Sequence, residues 1–195
     1  MRRTAFSAFL AVIFFTVLLG LAYSLALTGV SQLLFPGKAD GSQVSVDGNV
    51  VGSSLIAQEF KGWQYFHPRP SQTGYAADAT YFSNLGPNGV KARDLVRENL
   101  VAYLRLERPY DRSLTREEVP VDAITQSGSG VDPQISEANA RIQAHRVATV
   151  RGLPLSQVEG LISAHTDGRF LGLFGEPGVN VLELNIALDQ EAPVK

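Results

Sequence analysis

The sequence predicts a single N-terminal transmembrane α-helix followed by an extracytoplasmic α/β (α+β) domain, in which a small sheet is covered by helices. Three observations support this prediction. No charged side chain occurs from Thr4 through Gly37. In the rest of the chain, apolar residues recur at helical spacing in some segments and at every second position in others. The chain has no cysteine, so its exported domain must be held by its core or by partners rather than by disulfides.

The apolar run from Phe6 to Leu27 predicts the membrane span. About 20 such residues form a helix about 30 Å long, which matches the hydrocarbon core of a bilayer. Arg2 and Arg3 precede the run, and the positive-inside rule then keeps the N-terminus in the cytoplasm. We therefore expect residues 1–35 to form the cytoplasmic N-terminus and the span. Residues 36–195 should form a domain outside the cell inner membrane.

A cleaved signal peptide is the alternative for this run, because Ser24-Leu25-Ala26 is an acceptable cleavage site. Secretory apolar cores are usually about 7–15 residues long, so the greater length favours an uncleaved anchor. Both interpretations export the rest of the chain. Gly20 and Ser24 lie one helical turn apart, a spacing that lets a neighbouring membrane helix approach closely, and they are candidate subunit contacts. A lone uncharged helix cannot form an ion path, so any role in transport needs other subunits.

The charge balance of the exported part argues against nucleic acid as a partner. Taking Arg2 and Arg3 from the 17 basic residues leaves 15, against 19 acidic residues, a net charge of about −4 with histidine neutral. The histidines His67, His145 and His165 are scattered and form no close ligand pair. We therefore expect no metal site.

Hydrophobic periodicity predicts the elements of the exported domain. Helical patterns cover residues 53–60, 88–107, a segment ending near 151, and 156–168, and strand patterns cover 118–125, 170–174 and 181–189. Residues 43–52 predict two short strands about an Asp47-Gly48 turn. In the last predicted strand, one set of side chains should face the core and the other set should face solvent: Leu182, Leu184, Ile186 and Leu188 against Glu183, Asn185 and Asp189.

The run ITQSGSGVDPQIS contains a Ser/Gly loop formed by Ser127, Gly128, Ser129 and Gly130. It follows a predicted strand and precedes a helix that starts either at Asp132-Pro133 or at Ser136. Loops of this kind can direct backbone N–H groups at phosphate. However, the loop lacks the lysine of GxxxxGK[ST] and the spacing of GxGxxG. The residues alone therefore favour a structural turn in which a loop serine bonds to the local backbone.

Neither an enzyme nor a free-standing binding module is the favoured interpretation. Ser129 lies between glycines but not in the nucleophile order GxSxG, so hydrolysis is not expected. A long aromatic segment from Trp63 to Asn88 includes FHPRPS, and loops of this length are usually functional. Within it, Arg69 and Ser71 are candidates for contact with a partner. A membrane-anchored extracytoplasmic binding module unrelated to transport remains the alternative.

Several motifs together resemble the C subunit of the bacterial Kdp-type potassium-transporting P-type ATPase. They are the N-terminal span, GNVVGSSLIAQ at 48–58, FHPRPS at 66–71, SNLGP at 83–87, VPVDAITQSGSGVDPQIS at 119–136, and ARIQAHRVATVRGLP after it. They occur in order over essentially the full length. One departure is that residues 80–82 read TYF where the family usually has glycine and serine before Ser83-Asn84. Asn84 is a further candidate for subunit contact.

The resemblance implies a non-catalytic accessory subunit of a high-affinity ATP-driven potassium uptake complex. The implied partners are a channel-like subunit that binds potassium and a P-type subunit that hydrolyses ATP, so this chain itself needs no cofactor. The family is described as an assembly factor and catalytic chaperone that raises the ATP affinity of the hydrolysing subunit, with ATP contact proposed at Ser127–Gly130. The predicted topology disagrees with that contact, because ATP is cytoplasmic and the loop should lie outside. We instead expect the domain to dock on the outer mouth of the channel-like subunit.

Overall fold

The computed structural model describes residues 2–78, 81 and 83–193, which form two compact units that divide between Ser53 and Ser54. The segment 80–82, in which the sequence departs from the usual family motif, therefore lies largely outside the described residues. In the first unit, a continuous helix runs from Arg2 to Leu34 with no buried residue. At 33 residues it is long and apolar enough to cross a membrane, in agreement with the predicted span.

The long helix changes its winding in the middle. It consists of α1 (Arg2–Phe15), a π-helical segment (Thr16–Tyr23) and α2 (Ser24–Leu34). The hydroxyl of Ser24 donates to the carbonyl oxygen of Leu19 at 3.0 Å, which compensates for the wider turn. Gly20 lies inside the π segment. π-helical segments are frequent at functional positions of helices.

A short helix and a hairpin complete the first unit. Helix α3 (Pro36–Ala39) is followed by β1 (Gln43–Val46) and β2 (Asn49–Ser53), which pair antiparallel. Asp47 and Gly48 at the turn have φ values of 52° and 80°, which suits a two-residue hairpin loop. The predicted hairpin is confirmed.

The second unit is a helix-rich domain with one small sheet. Its helices are α4 (Val90–Glu107), α5 (Val121–Ile124), α6 (Glu137–Arg151), α7 (Leu155–Ala164) and α8 (Val181–Glu191). Its strands, β3 (Gln134–Ile135), β4 (Thr166–Asp167) and β5 (Gly178–Asn180), form an antiparallel sheet in the order β3-β5-β4. The prediction of a small sheet covered by helices is confirmed for this domain.

Two apolar clusters hold the domain together. The larger one joins α6, α7, α8 and the sheet around the fully buried side chains of Phe66, Ile162 and Leu188. The smaller one packs Leu100 and Leu104 of α4 against the loop after that helix and against α5. The Ser/Gly loop connects α5, which belongs to the smaller cluster, to β3, which belongs to the larger one.

Four predicted strands or helices are wrong, and the last of them along the chain is the strand at 181–189. The segment 118–125 contains the short helix α5 (Val121–Ile124) instead of a strand, because Pro120 removes a backbone donor and occupies the position before α5. Residues 53–60 are not helical, since the N–H of Ala57 donates to the carbonyl oxygen of Val131 at 2.9 Å. Residues 170–174 form a tight turn closed by a single bridge between Phe170 and Phe174.

The predicted strand at 181–189 is helix α8. The side chain of Asn180 caps it by accepting a hydrogen bond from the N–H of Glu183 at 3.2 Å. Val181, Leu184, Asn185 and Leu188 then share the buried face, a spacing of three and four residues. Asn185, expected to face solvent, is 1% exposed. Its side-chain amide accepts a hydrogen bond from the N–H of Phe66 at 2.8 Å and donates one to the carbonyl oxygen of Phe66 at 2.9 Å.

Candidate functional site

The Ser/Gly loop is tied to the segment that contains Arg69 and Ser71. The N–H of Ser127 donates to the carbonyl oxygen of Pro70 at 3.2 Å. Arg69 Nη1 donates to Asp132 Oδ2 at 2.9 Å, across the loop. The sequence-predicted residues at 69, 71 and 127–130 therefore come together in one junction.

Ser71 links this segment to the last glycine of the loop. Its hydroxyl donates to the carbonyl oxygen of Gly130 at 2.5 Å and accepts from the N–H groups of Thr73 and Tyr75 at 3.2 and 3.0 Å. The hydroxyl of Tyr75 donates to the carbonyl oxygen of Arg69 at 2.8 Å, and burial raises the pKa of Tyr75 to about 12. The side chains of Ser71 and Arg69 are thus engaged within the domain.

The two loop glycines differ in what they require. Gly130 is buried and has a φ of +78°, and a Cβ there would lie 2.9 Å from the methyl carbon of Thr73. Gly128 is exposed and has no positive φ, and a Cβ added there would meet nothing within 4 Å. Only Gly130 is therefore needed for the conformation of the loop.

Backbone hydrogen bonds within the domain engage the N–H groups of Ser127 and Gly130, two of the four in the loop. The N–H of Gly130 donates to the carbonyl oxygen of Ser127 at 3.3 Å, and the N–H of Val131 donates to Ser129 Oγ at 3.1 Å. The hydrogen bond at Ser129 confirms the expected bond between a loop serine and the local backbone. In the described part of the chain, Ser127 Oγ, Gln126 Oε1 and Arg69 Nε are buried without a hydrogen-bond partner. The junction thus retains hydrogen-bonding groups that the domain does not use.

A carboxylate from α5, that of Asp122, contacts the start of the helix that follows the loop. Helix α6 begins at Glu137 with Ser136 as its N-cap, so the second of the two predicted helix starts is confirmed and Asp132-Pro133 is not the start. The carboxylate of Asp122 accepts hydrogen bonds from the N–H and hydroxyl of Ser136, at 2.9 and 2.8 Å, and from the amide of Asn139 at 2.9 Å. Since a helix N-terminus favours negative charge, the carboxylate of Asp122 stabilises the start of α6 through the N-cap Ser136.

A buried ion pair lies next to the junction. Arg146, which is fully buried, donates from Nε to both carboxylate oxygens of Glu107 at 3.0 and 3.1 Å. Its Nη1 group donates to the carbonyl oxygens of Trp63 and Tyr65. Burial raises the pKa of Glu107, and the Arg146 guanidinium opposes that shift. The pair fastens α4, α6 and the aromatic segment to one another.

His67 is neutral in this environment. Burial, followed by the nearby charge of Arg146, lowers the pKa of His67 to about 4. Its Nε2 lies 3.0 Å from the carbonyl oxygen of Gly62, so the Nε2–H group of the neutral ring donates a hydrogen bond there. His67 also lines a cavity of about 280 Å³ with Tyr103, Asn139 and Gln143. Within the described residues no group of three or more His, Cys, Asp and Glu side chains is arranged to hold a metal.

A small hairpin exposes four large apolar side chains on the surface of the domain. Phe170 and Phe174 exchange backbone hydrogen bonds at 2.8 and 3.0 Å, and Leu171 has a φ of +52°. The four large side chains of this turn are between 63% and 77% exposed: Phe170, Leu171, Leu173 and Phe174. An ion pair between Arg169 and Glu176, at 2.9 Å, closes its base. We name residues 169–176 the apolar hairpin.

Sequence reasoning missed the apolar hairpin and the roles of Asp122 and Arg146. The glycine inside FLGLF was the available signal, because it interrupts the alternation that a strand would need. The other candidates lie elsewhere. Asn84 is exposed with a φ of +53°, and Gly20 and Ser24 are on the N-terminal helix.

Comparisons with known proteins identify the family. A family model described as "KdpC: K+-transporting ATPase, c chain" matches residues 5–190. The chain is 48% identical over 192 residues to the potassium-transporting ATPase KdpC subunit of Mycobacterium tuberculosis (strain ATCC 25618 / H37Rv), covering 97% of this chain and 100% of the relative. It is 46% identical over 196 residues to that of Rhodospirillum rubrum, covering 100% and 99%. The relative from Caulobacter sp. (strain K31) is 51% identical over 183 residues, covering 92% and 89%.

The resemblance found in the motifs is therefore confirmed over nearly the whole chain. Because the family model and these relatives align from end to end, the chain belongs to the KdpC family, the c chain of K+-transporting ATPases.

Proposed function

We propose that this chain is a non-catalytic accessory subunit of a high-affinity, ATP-driven potassium uptake complex. It assembles and stabilises a channel-like subunit that binds potassium and a P-type subunit that hydrolyses ATP. The observation that carries the proposal is the helix Arg2–Leu34, in which no residue is buried within the chain. At about 1.5 Å per residue it presents about 50 Å of apolar surface, which only lipid or other membrane helices can cover.

The proposed orientation places the N-terminus in the cytoplasm and the Ser54–Lys195 domain outside. Arg2 and Arg3 are the only charged residues before Lys38, and the positive-inside rule acts on them. Gly20 offers a close approach for a partner helix, since a Cβ there would meet only its own helix, with the methyl carbon of Thr16 at 4.0 Å.

The apolar hairpin is the proposed docking element of the outer domain. Its four large apolar side chains are exposed, its backbone is closed by hydrogen bonds between Phe170 and Phe174, and Leu171 has a positive φ. Exposed apolar patches of this kind mark protein interaction sites, and strain in an exposed turn is consistent with a functional role. Arg69 and Ser71 then act indirectly, by holding the surface of the domain in shape, and Asn84 remains a candidate contact.

The Ser/Gly loop has a structural role in this proposal. The N–H of Ser127 donates to the carbonyl oxygen of Pro70, and the carbonyl oxygen of Gly130 accepts from the hydroxyl of Ser71, so both ends of the loop are held to the domain. Asp122 accepts hydrogen bonds from Ser136 at the start of the following helix. Any effect on ATP affinity of the hydrolysing subunit is therefore a coupling over distance, typically about 1–3 kcal/mol. The outer location of the loop is what separates this mechanism from direct nucleotide contact.

The orientation is tested by cysteine labelling, for which the cysteine-free chain gives no background. Single Arg112→Cys and Thr4→Cys variants are treated with a membrane-impermeant maleimide in spheroplasts and in inverted vesicles. We expect Arg112→Cys to react in spheroplasts and Thr4→Cys in inverted vesicles only. The reverse pattern would refute the orientation and restore the loop as a possible nucleotide contact.

The docking role is tested by copurification from a mild detergent. A Leu171→Ser/Leu173→Ser variant should lose the two large subunits by at least about ten-fold, because it removes the central apolar side chains of the contact. Val121→Ser is the control, since Val121 is a similarly exposed apolar residue (71%) of the same domain that does not belong to the apolar hairpin. Wild-type recovery of both subunits with the double variant would show that the hairpin does not dock.

A further inference from the structure

A groove lined by arginines lies on the domain surface at the end of α4. Its volume is about 870 Å³, and four arginines are among its lining residues: Arg97, Arg105, Arg108 and Arg116. The first two come from α4, the third is its C-cap, and the fourth comes from the loop that follows. No carboxylate is among the described residues that line the groove. This concentration of positive charge contrasts with the net negative charge of the whole chain.

Three of these arginines have no partner within the described part of the chain. Arg97, Arg105 and Arg116 make no ion pair or hydrogen bond through their side chains there. Arg108 donates from Nε to the carbonyl oxygen of Leu114 at 3.0 Å. Other arginines of the same domain do pair with carboxylates: Arg69, Arg141, Arg146, Arg151 and Arg169. Four like charges around one groove repel each other, and an anion between them removes that repulsion.

Helix electrostatics account for only part of the cluster. Arg105 and Arg108 lie at the C-terminal end of α4, where the helix dipole favours positive charge. Arg97 lies in the middle of the helix, and Arg116 lies in the loop. The nearby carboxylate of Glu118 accepts hydrogen bonds from the N–H and hydroxyl of Thr115, both at 2.8 Å. The fold of this loop therefore brings Arg116 to the groove while Glu118 is engaged elsewhere.

The floor of the groove is apolar. Val101 lies between Arg97 and Arg105 on α4 and is 51% exposed, and Leu104 and Pro109 also line the groove. Guanidinium groups bind phosphate through paired N–H donors, whereas an apolar floor accepts hydrocarbon. The groove thus matches an amphiphile with a phosphate head.

We propose that this groove binds the headgroup of an anionic phospholipid. The domain is covalently joined to a helix long enough to span a membrane, so such lipids are present at high effective concentration. Arginine clusters are attracted to anionic lipid headgroups, and at about 1 kcal/mol per residue each Lys or Arg contributes about five-fold in affinity. The proposal goes beyond subunit assembly, because it assigns a lipid ligand to residues other than those of the apolar hairpin.

Native mass spectrometry of the full chain in a neutral detergent tests the proposal. The probes are short-chain phosphatidylglycerol and short-chain phosphatidylcholine, with inorganic phosphate as a competitor. Wild type should bind one phosphatidylglycerol in preference to phosphatidylcholine. Arg97→Gln/Arg116→Gln should weaken that binding about 30-fold, while Arg97→Lys/Arg116→Lys should restore much of it. Arg93→Gln/Arg112→Gln is the matched control, because it removes the same charge from exposed positions outside the groove.

Several outcomes would overturn the proposal. One is equal binding of the two lipids by wild type, and another is an equal loss in the groove variant and in the control. Displacement of the lipid by millimolar inorganic phosphate would assign the groove to a free anion instead. If the groove variant binds lipid normally but fails to copurify with other subunits, the ligand is an acidic protein segment. Circular dichroism melting of both variants ensures that a folded domain is compared.

Discussion

Replacing Gly130 with alanine should destabilise the Ser54–Lys195 domain by about 3 kcal/mol. A non-glycine residue in the left-handed region costs about 1–2 kcal/mol, and Gly130 has a φ of +78°. The added Cβ would also lie 2.9 Å from the methyl carbon and 3.0 Å from the hydroxyl oxygen of Thr73. Thr73 must then move away, which weakens the hydrogen bonds that Ser71 and Thr73 donate to the carbonyl oxygen of Gly130. Each such bond contributes about 1 kcal/mol.

Thermal unfolding of the full chain in detergent measures the effect, with the fluorescence of Trp63, the single tryptophan, as the signal. For a domain of this size, 1 kcal/mol corresponds to about 3 °C, so the expected decrease in Tm is about 9 °C. Gly128→Ala is the control, because nothing lies within 4 Å of a Cβ at that position. It should change Tm by less than about 2 °C. Equal values for the two variants would refute the structural role of Gly130.

Three further predictions follow from buried or strained groups. Folded His67 has a pKa of about 4 against 6.5 for the unfolded chain, so the unfolded state binds more protons between these values; stability should fall by about 3 kcal/mol as the pH falls through that window. His67→Gln should remove that share of the pH dependence, and an unchanged pH profile would contradict it. Glu107→Gln leaves the Arg146 charge buried without its counterion and should cost about 3–5 kcal/mol in urea unfolding, whereas Glu107→Gln/Arg146→Met should recover part of the loss. Leu171→Gly relieves a φ of +52°, so it should leave Tm equal or higher by up to about 3 °C and still reduce copurification; a parallel loss of Tm would show that the hairpin supports the fold instead.

Local sequence signals predicted the parts of the fold that depend on local interactions. The uncharged apolar run, the Asp47-Gly48 turn and the Ser136 cap each act over a few residues, and each is confirmed. Gly152 ends α6 in the left-handed conformation with a φ of 68°, as a glycine after a helix is expected to do.

The errors arise where two periods fit the same residues or where tertiary contacts decide. Leu184 and Leu188 are consistent with both an alternating and a helical pattern, and the cap at Asn180 selects the helix. The partner of Arg69 is Asp132, 63 residues away, so the sequence alone could not show that the arginine is engaged within the domain. The arginine groove depends on the return of the loop after α4, which the periodicity of the helix does not encode. The apolar hairpin depends on a turn at residues 170–174, where the high apolar content of the sequence favoured the prediction of a strand.

The ion pair of Arg146 has a consequence for motion as well as for stability. One guanidinium joins the end of α4, the middle of α6 and the backbone at Trp63 and Tyr65, so none of the three can separate without exposing a bare buried charge. Amide protons in these segments should therefore exchange with deuterium together, as one cooperative unit. A displacement applied to any one of them is passed to the other two, which makes this part of the domain a stiff body rather than a hinge.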